Sequence, residues 1–198
     1  MKIIKQIRTA TILLALFTII TGLVYPLAVT GLAQIFFPGK ANGSLLYKNG
    51  KVSGSELIGQ PFGDKKYFWG RLSATGPYAY NGGASAGSNY GPLHPALIDA
   101  VKKRTQNLKS VDSLNNAKIP IDLVTASSSG LDPHVSIASA LYQIPRVAHA
   151  RGISEERIRL CVDHCTQGRQ FGFFGEPTVN ILKLNLELDG FQNSSGGK

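Results

Sequence analysis

Four stretches of this chain hold groups that could do chemistry. Cys161, His164 and Cys165 fall within one and a half turns of a predicted helix and are residue types that bind zinc. A zinc site would need a fourth ligand from elsewhere, and no partner motif accompanies them. Both cysteines lie on an apolar stripe, so packing accounts for them and no metal site is assigned. A disulfide between them is disfavoured, because i, i+4 side chains on a helix stand about 5–6 Å apart at Cβ. Ser127, Ser128, Ser129, Asp132 and His134 gather hydroxyls, a carboxylate and an imidazole in one short segment. A nucleophilic triad needs a hydroxyl bonded to a base that a third group orients, and residues so close in sequence rarely reach that geometry. Gly-x-Ser-x-Gly is absent too, so the segment reads as a polar turn opening the next helix, with no catalytic residue.

The third stretch, Gly82 to Gly91, could wrap backbone amides around an anion, with Ser85, Gly87, Ser88 and Asn89 as the nucleotide-contact candidates. It lacks the Gly-Lys-Ser/Thr ending of a phosphate loop, and no strand immediately precedes it. A connecting or partner-facing loop is the favoured reading. The fourth, Ala148 to Ile158, imitates a helix-turn-helix, which would make the chain a membrane-tethered regulator. Its reading helix would begin with Glu155 and Glu156, two acids facing phosphates, so nucleic acid is not the expected partner.

The elements that must position these groups follow from patterning. Ser44 to Lys48, Asn49-Gly50 and Lys51 to Ser53 read as a hairpin, since Asn-Gly supplies the positive φ of a type I′ turn. Ser55 to Ile58 suits a helical turn, Lys66 to Trp69 a short aromatic strand, and Gly76 to Pro92 an irregular loop. Helices are predicted over Pro95 to Leu108, over Ser136 to about Arg151 with Pro145 kinking or shortening it, and from the Ser154 cap to Gly168. Strands are predicted over Ile119 to Thr125 and Val179 to Leu188, the latter from alternation of Leu184, Leu186 and Leu188 with polar residues. Strands at both ends with helices between them make an α+β domain.

Ahead of that domain, Thr9 to Gly39 contains no Asp, Glu, Lys, Arg or His, and 20 of those 31 residues are apolar or aromatic. A bilayer crossing needs roughly 20 apolar residues. The stretch is longer than the apolar core of a secretory signal, so an uncleaved anchor is favoured over a cleaved one. Ile12, Leu16, Ile20, Gly22, Pro26 and Gly31 mark the span, with a kink or early exit expected at Pro26. The organisation is a basic tail (1–8), a transmembrane helix and exit (9–38) and one soluble domain (39–198). No second run of this kind exists, which excludes a multi-spanning channel. Lys2, Lys5 and Arg8 slightly favour a cytoplasmic N-terminus, leaving the bulk of the chain extracytoplasmic. Beyond the tail, 18 basic and 12 acidic side chains are interspersed, the pattern of a solvated surface.

Taken in order, several segments resemble the C subunit of the Kdp potassium-transporting ATPase. They include Ile20-Thr-Gly-Leu-Val-Tyr-Pro26, Ser55-Glu-Leu-Ile-Gly-Gln60, Gly70-Arg71 with Ser73-Ala74-Thr75, and Gly87-Ser-Asn89. Leu123-Val-Thr-Ala-Ser127 with Ser129-Gly-Leu-Asp132, Gln143-Ile-Pro-Arg-Val-Ala148, Gly175-Glu-Pro177 and Val179-Asn-Ile181 continue the match. The resemblance implies a non-catalytic subunit of a cell-membrane complex that hydrolyses ATP to import K⁺. Its partners would be a channel-like potassium-binding subunit, the P-type ATPase subunit and a small single-span subunit, besides membrane lipid. The family is described as a catalytic chaperone that raises the pump subunit's ATP affinity, so no tightly bound cofactor is expected and ATP enters through the pump subunit. The family's Ser-Gly-Gly-Ser nucleotide loop corresponds here to Ser85-Ala86-Gly87-Ser88, with one Gly replaced. Tyr67, Trp69, Arg71, Tyr78 and Tyr90 are the expected partner contacts, since aromatics and Arg make good interface anchors.

Overall fold

A computed structural model describes residues 2–48 and 50–195. The chain divides between Leu45 and Leu46 into two units.

The first unit is an apolar helix. It runs from Lys2 to Phe36 as α1 (Lys2–Ile19), a π-helical segment (Ile20–Val24) and α2 (Tyr25–Phe36), followed by the short α3 (Pro38–Ala41). Its 35 residues and composition are sufficient to cross a bilayer, and none of them is buried. Its large apolar side chains therefore need lipid or other helices around them. Pro26 does not end the helix. It occupies the first turn of α2, and the backbone ahead of it widens into the π segment. A proline lacks the N–H that would bond the carbonyl four residues back and its ring crowds that carbonyl, and a π segment is a recognised way to absorb both.

The second unit holds the folded domain. β1 (Leu45–Lys48) and β2 (Lys51–Ser55) form a two-stranded sheet, with Gly50 at φ +74 in the connection, while Asn49 lies outside the described residues. The Ser55–Ile58 turn is present, the Ile58 N–H donating to the Ser55 carbonyl. α4 (Pro95–Val111) begins at the predicted Pro95 and runs three residues beyond Leu108. A three-stranded antiparallel sheet orders β3 (His134–Ser136), β5 (Thr178–Asn180) and β4 (Thr166–Gln167), with Val135 opposite Val179. α5 (Ile137–Arg151), α6 (Glu155–His164) and α7 (Ile181–Ser195) complete the unit.

The core follows from these elements. Ile144, Val147 and Ala148 of α5 meet Ile158, Cys161 and Val162 of α6 and Leu184 and Leu188 of α7, around Phe68 and Val179. A smaller cluster joins Trp69, Leu108, Leu123, Val124 and Tyr142. Ser136 caps α5 through its hydroxyl, and Gly152 closes it in the left-handed conformation, φ +65. Pro145 neither shortens nor ends α5. Its interior cost of about 3 kcal/mol is offset by neighbours that are all buried.

Four sequence expectations are corrected. Residues 181–188 are helix, because alternation over five residues also fits a helical face. Leu184, Asn185 and Leu188 point inward together, which only the 3.6 period permits. Ile121–Leu123 is a 3₁₀ turn after Pro120 and not a strand, and its Asp122 caps β3 and α5 by accepting from Ser136 N–H and from the Ser139 hydroxyl. α6 ends at His164, four residues before Gly168. Lys66 to Trp69 forms no strand either, for a reason set out next.

Candidate functional site

Residues 56–92 contain no helix or named strand. Their backbone groups must still be satisfied where they are buried. From Lys65 to Trp69, five successive carbonyls accept from side chains of α5 and α7. Arg146 Nη1 donates to the Lys65 and Tyr67 carbonyls, Arg151 Nε to that of Lys66, Asn185 Nδ2 to that of Phe68 and Gln143 Nε2 to that of Trp69. The N–H groups of Phe68 and Trp69 return bonds to Asn185 Oδ1 (2.9 Å) and Gln143 Oε1 (2.8 Å). Two side-chain amides thus imitate a neighbouring strand, so the segment is extended without a sheet.

Trp69 lies in the core instead of on the surface, 4% exposed, with the guanidinium groups of Arg146 and Arg104 at 4.6 and 5.0 Å from its ring. Burial lowers the Arg146 pKa to about 10, which leaves it a cation at neutral pH. Tyr67 is half-buried, its hydroxyl 3.2 Å from Asp189 Oδ2. Asp189 also takes Lys48 at 2.7 Å and Arg151 at 3.0 Å. Burial would raise the Asp189 carboxyl, but those two cations outweigh it and hold it below the ordinary range.

The Gly-rich loop is docked on the Ser-rich turn. Ser85 Oγ and the Ala86 N–H both donate to the Ser129 carbonyl. A Cβ on Gly87 would come within 2.6 Å of the Ser128 carbonyl, and one on Gly130 within 2.6 Å of the Ala86 carbonyl. Two donors that could have faced a phosphate are therefore spent between the loops. Ser88 lies in the same loop, and Asn89 adopts φ +52. Ser73 and Thr75 fasten the loop's other end, accepting from the Tyr80 and Asn81 N–H groups.

Ser127 and Ser129 are turn residues, their hydroxyls accepting from the N–H groups of Gly130 and Leu131. Asp132 binds Arg71 (3.1 Å) and the His134 N–H (3.0 Å) and stands 3.6 Å from His134 Nδ1. Burial opposes its ionisation, yet the bonds from His134 and Arg71 keep its carboxyl below the usual range. Among the described residues no bond joins a hydroxyl of Ser127, Ser128 or Ser129 to His134, so the group orients a turn. Arg71, Asp132 and His134 line an open cleft of about 600 Å³ that also takes in Asp122 and Glu176.

Of the expected contact residues, Tyr78 and Tyr90 are well exposed, Tyr90 stacked on His94. Arg71 is half-buried against Asp132. Sequence reading passed over Phe171, Phe173 and Phe174, three exposed aromatics on a turn closed by Gln170 and Phe174, with Gly172 and Gly175 at positive φ. Their signal was there to read, as aromatics alternating with glycine between two elements. The helix-turn-helix likeness reduces to α5 packed on α6 through buried Ile158 and Val162.

Taken together, an apolar bilayer-length helix and one α+β domain define a single-span, membrane-associated subunit type. Comparison with known proteins makes this specific. Residues 7–190 match the family described as KdpC, the K⁺-transporting ATPase c chain, and the chain belongs to that family. It is 59% identical over 186 residues to the potassium-transporting ATPase KdpC subunit of Methylococcus capsulatus, covering 94% of this chain and 98% of that one. It is 58% identical over 183 residues to the subunit of the same name from Polynucleobacter asymbioticus, covering 92% and 97%.

Proposed function

We propose that this chain is an accessory subunit of a K⁺-importing P-type ATPase complex, stabilising its assembly and promoting ATP binding by the pump subunit. The family match over nearly the whole chain carries the reading. The partners are a channel-like potassium-binding subunit, the ATPase subunit and a small single-span subunit. The helix marked by Ile12, Leu16, Ile20, Gly22, Pro26 and Gly31 packs among them, its glycines allowing close approach. The folded domain lies outside the cytoplasm and presents Tyr78, Tyr90 and the Phe171–Phe174 turn to the potassium-entry subunit.

A domain across the bilayer from the nucleotide cannot touch it. Its effect on ATP affinity is then a coupling free energy of about 1–3 kcal/mol, or roughly 5–150-fold, carried through the complex. That agrees with a Gly-rich loop whose donors face the Ser-rich turn. Copurification of the full chain from membranes, with its companions identified, tests the assembly. The three other subunits are expected, and isolation of the chain alone would overturn the reading. Reporter fusions at the C-terminus test topology: periplasmic activity is expected, and activity of a cytoplasmic reporter alone would place the domain inside.

A further inference from the structure

The cysteine-bearing face of α6 acquires a group that sequence spacing could not supply. Glu187, one turn after Lys183 on α7, reaches the C-terminal end of α6. Its Oε2 accepts from the Cys165 thiol at 3.1 Å and lies 3.1 Å from His164 Nδ1. The three ligand atoms, one sulfur, one nitrogen and one oxygen, all fall within 4.8 Å of one another. Cys161 is separate, its Sγ bonded to the Arg157 carbonyl inside the core.

We propose that His164, Cys165 and Glu187 form a binding site for a thiophilic divalent cation of the zinc type, clamping the end of α6 to α7. Around tetrahedral zinc, with bonds of about 2.0–2.3 Å, ligand atoms stand roughly 3.3–3.8 Å apart. The two Glu187 distances are already within a few tenths of an ångström of that range. The larger separation is closed by His164, whose side chain is 80% exposed and so is able to swing inward. The other two ligands are fixed. Cys165 is the C-cap of α6, its N–H bonded to the Cys161 carbonyl, and Glu187 rides between the buried Leu184 and Leu188 of α7. Cation binding releases the Cys165 thiol proton to solvent, so thiolate and carboxylate together balance the two positive charges. The exposed side of His164 leaves a coordination position to water, the arrangement of an open site and not of a closed four-ligand one.

Titration of the untagged, detergent-solubilised full chain with Co²⁺ as optical probe, followed by Zn²⁺ competition, tests this. One Co²⁺ per chain is expected, with a thiolate-to-metal charge-transfer band that Zn²⁺ abolishes. Cys165→Ser should remove the band, and Glu187→Gln and His164→Ala should each weaken binding at least about tenfold. Cys161→Ser should bind as the parent does. Absence of the band, its survival in Cys165→Ser, or its loss in Cys161→Ser would overturn the site. The exposed His164 keeps the test independent of folding, because truncating it leaves the core intact, and unchanged affinity in His164→Ala also counts against the proposal.

Discussion

Two regions of the folded domain are held by different forces. Residues 134–190 are built of helices and short strands whose backbone groups bond locally, and their stability rests on the apolar cluster between α5, α6 and α7. Residues 56–92 have neither helix nor named strand, and are pinned from outside by Gln143, Arg146, Arg151 and Asn185 and from within by Ser73, Thr75 and Asn81. In the first region a truncated side chain leaves a cavity. In the second it leaves buried carbonyls without donors, so a few polar residues should matter as much as core leucines.

The largest effect should come from Arg146→Ala, which strips the Lys65 and Tyr67 carbonyls of their donor, takes one of two donors from Gln143 Oε1 and removes one of the two cations over Trp69. A loss of about 3–5 kcal/mol is expected in denaturant unfolding of the full chain, followed by circular dichroism and by fluorescence of its single tryptophan. Leu184→Ala, measured alongside, should cost about 3 kcal/mol through the cavity it opens. If Arg146→Ala cost under about 1 kcal/mol in that pairing, the contrast between the regions would collapse. Asn185→Leu sharpens the comparison further: it keeps an apolar core position filled but orphans both backbone groups of Phe68, for a loss of about 2–3 kcal/mol.

Acid should act on the same contacts. Asp189 and Asp132 have folded pKa values below their unfolded ones, so their stabilising contribution is complete above the unfolded carboxylate value, about 3.9, and disappears as pH falls through the depressed folded values. Asp189→Asn should lower stability at pH 7 and flatten the acid limb of a stability–pH curve, and an unchanged limb would remove Asp189 from the pinning network. Smallest in stability, at under about 0.5 kcal/mol, should be Tyr78→Ala and Tyr90→Ala. Both are expected to reduce recovery of the assembled complex while the domain stays folded, and wild-type recovery would take these exposed rings out of the interface.

The same division explains what was legible in sequence. Elements with local signals read correctly: Ser136 and Gly152 bracket α5, Pro95 opens α4, and an uncharged run announces the long apolar helix. Where a segment is defined by distant side chains, sequence failed. Lys66 to Trp69 carries strand-forming aromatics, yet its partners come from residues 74 and 117 positions away in Gln143 and Asn185. Polar Asn185 also made the leucine pattern of α7 look two-periodic, because a buried amide reads as a wet position. Glu187 escaped as a neighbour of Cys165 for the same reason, since its element was misread.

The π-helical segment at Ile20–Val24 changes which sides of the apolar helix line up. Each residue there turns the chain less than an α-helical residue does, so five of them leave the following stretch lagging by about a quarter of a revolution. Leu16 and Gly31 are therefore out of phase with an unbroken helix, and any helix packed along both ends would meet faces turned about a quarter of a revolution apart.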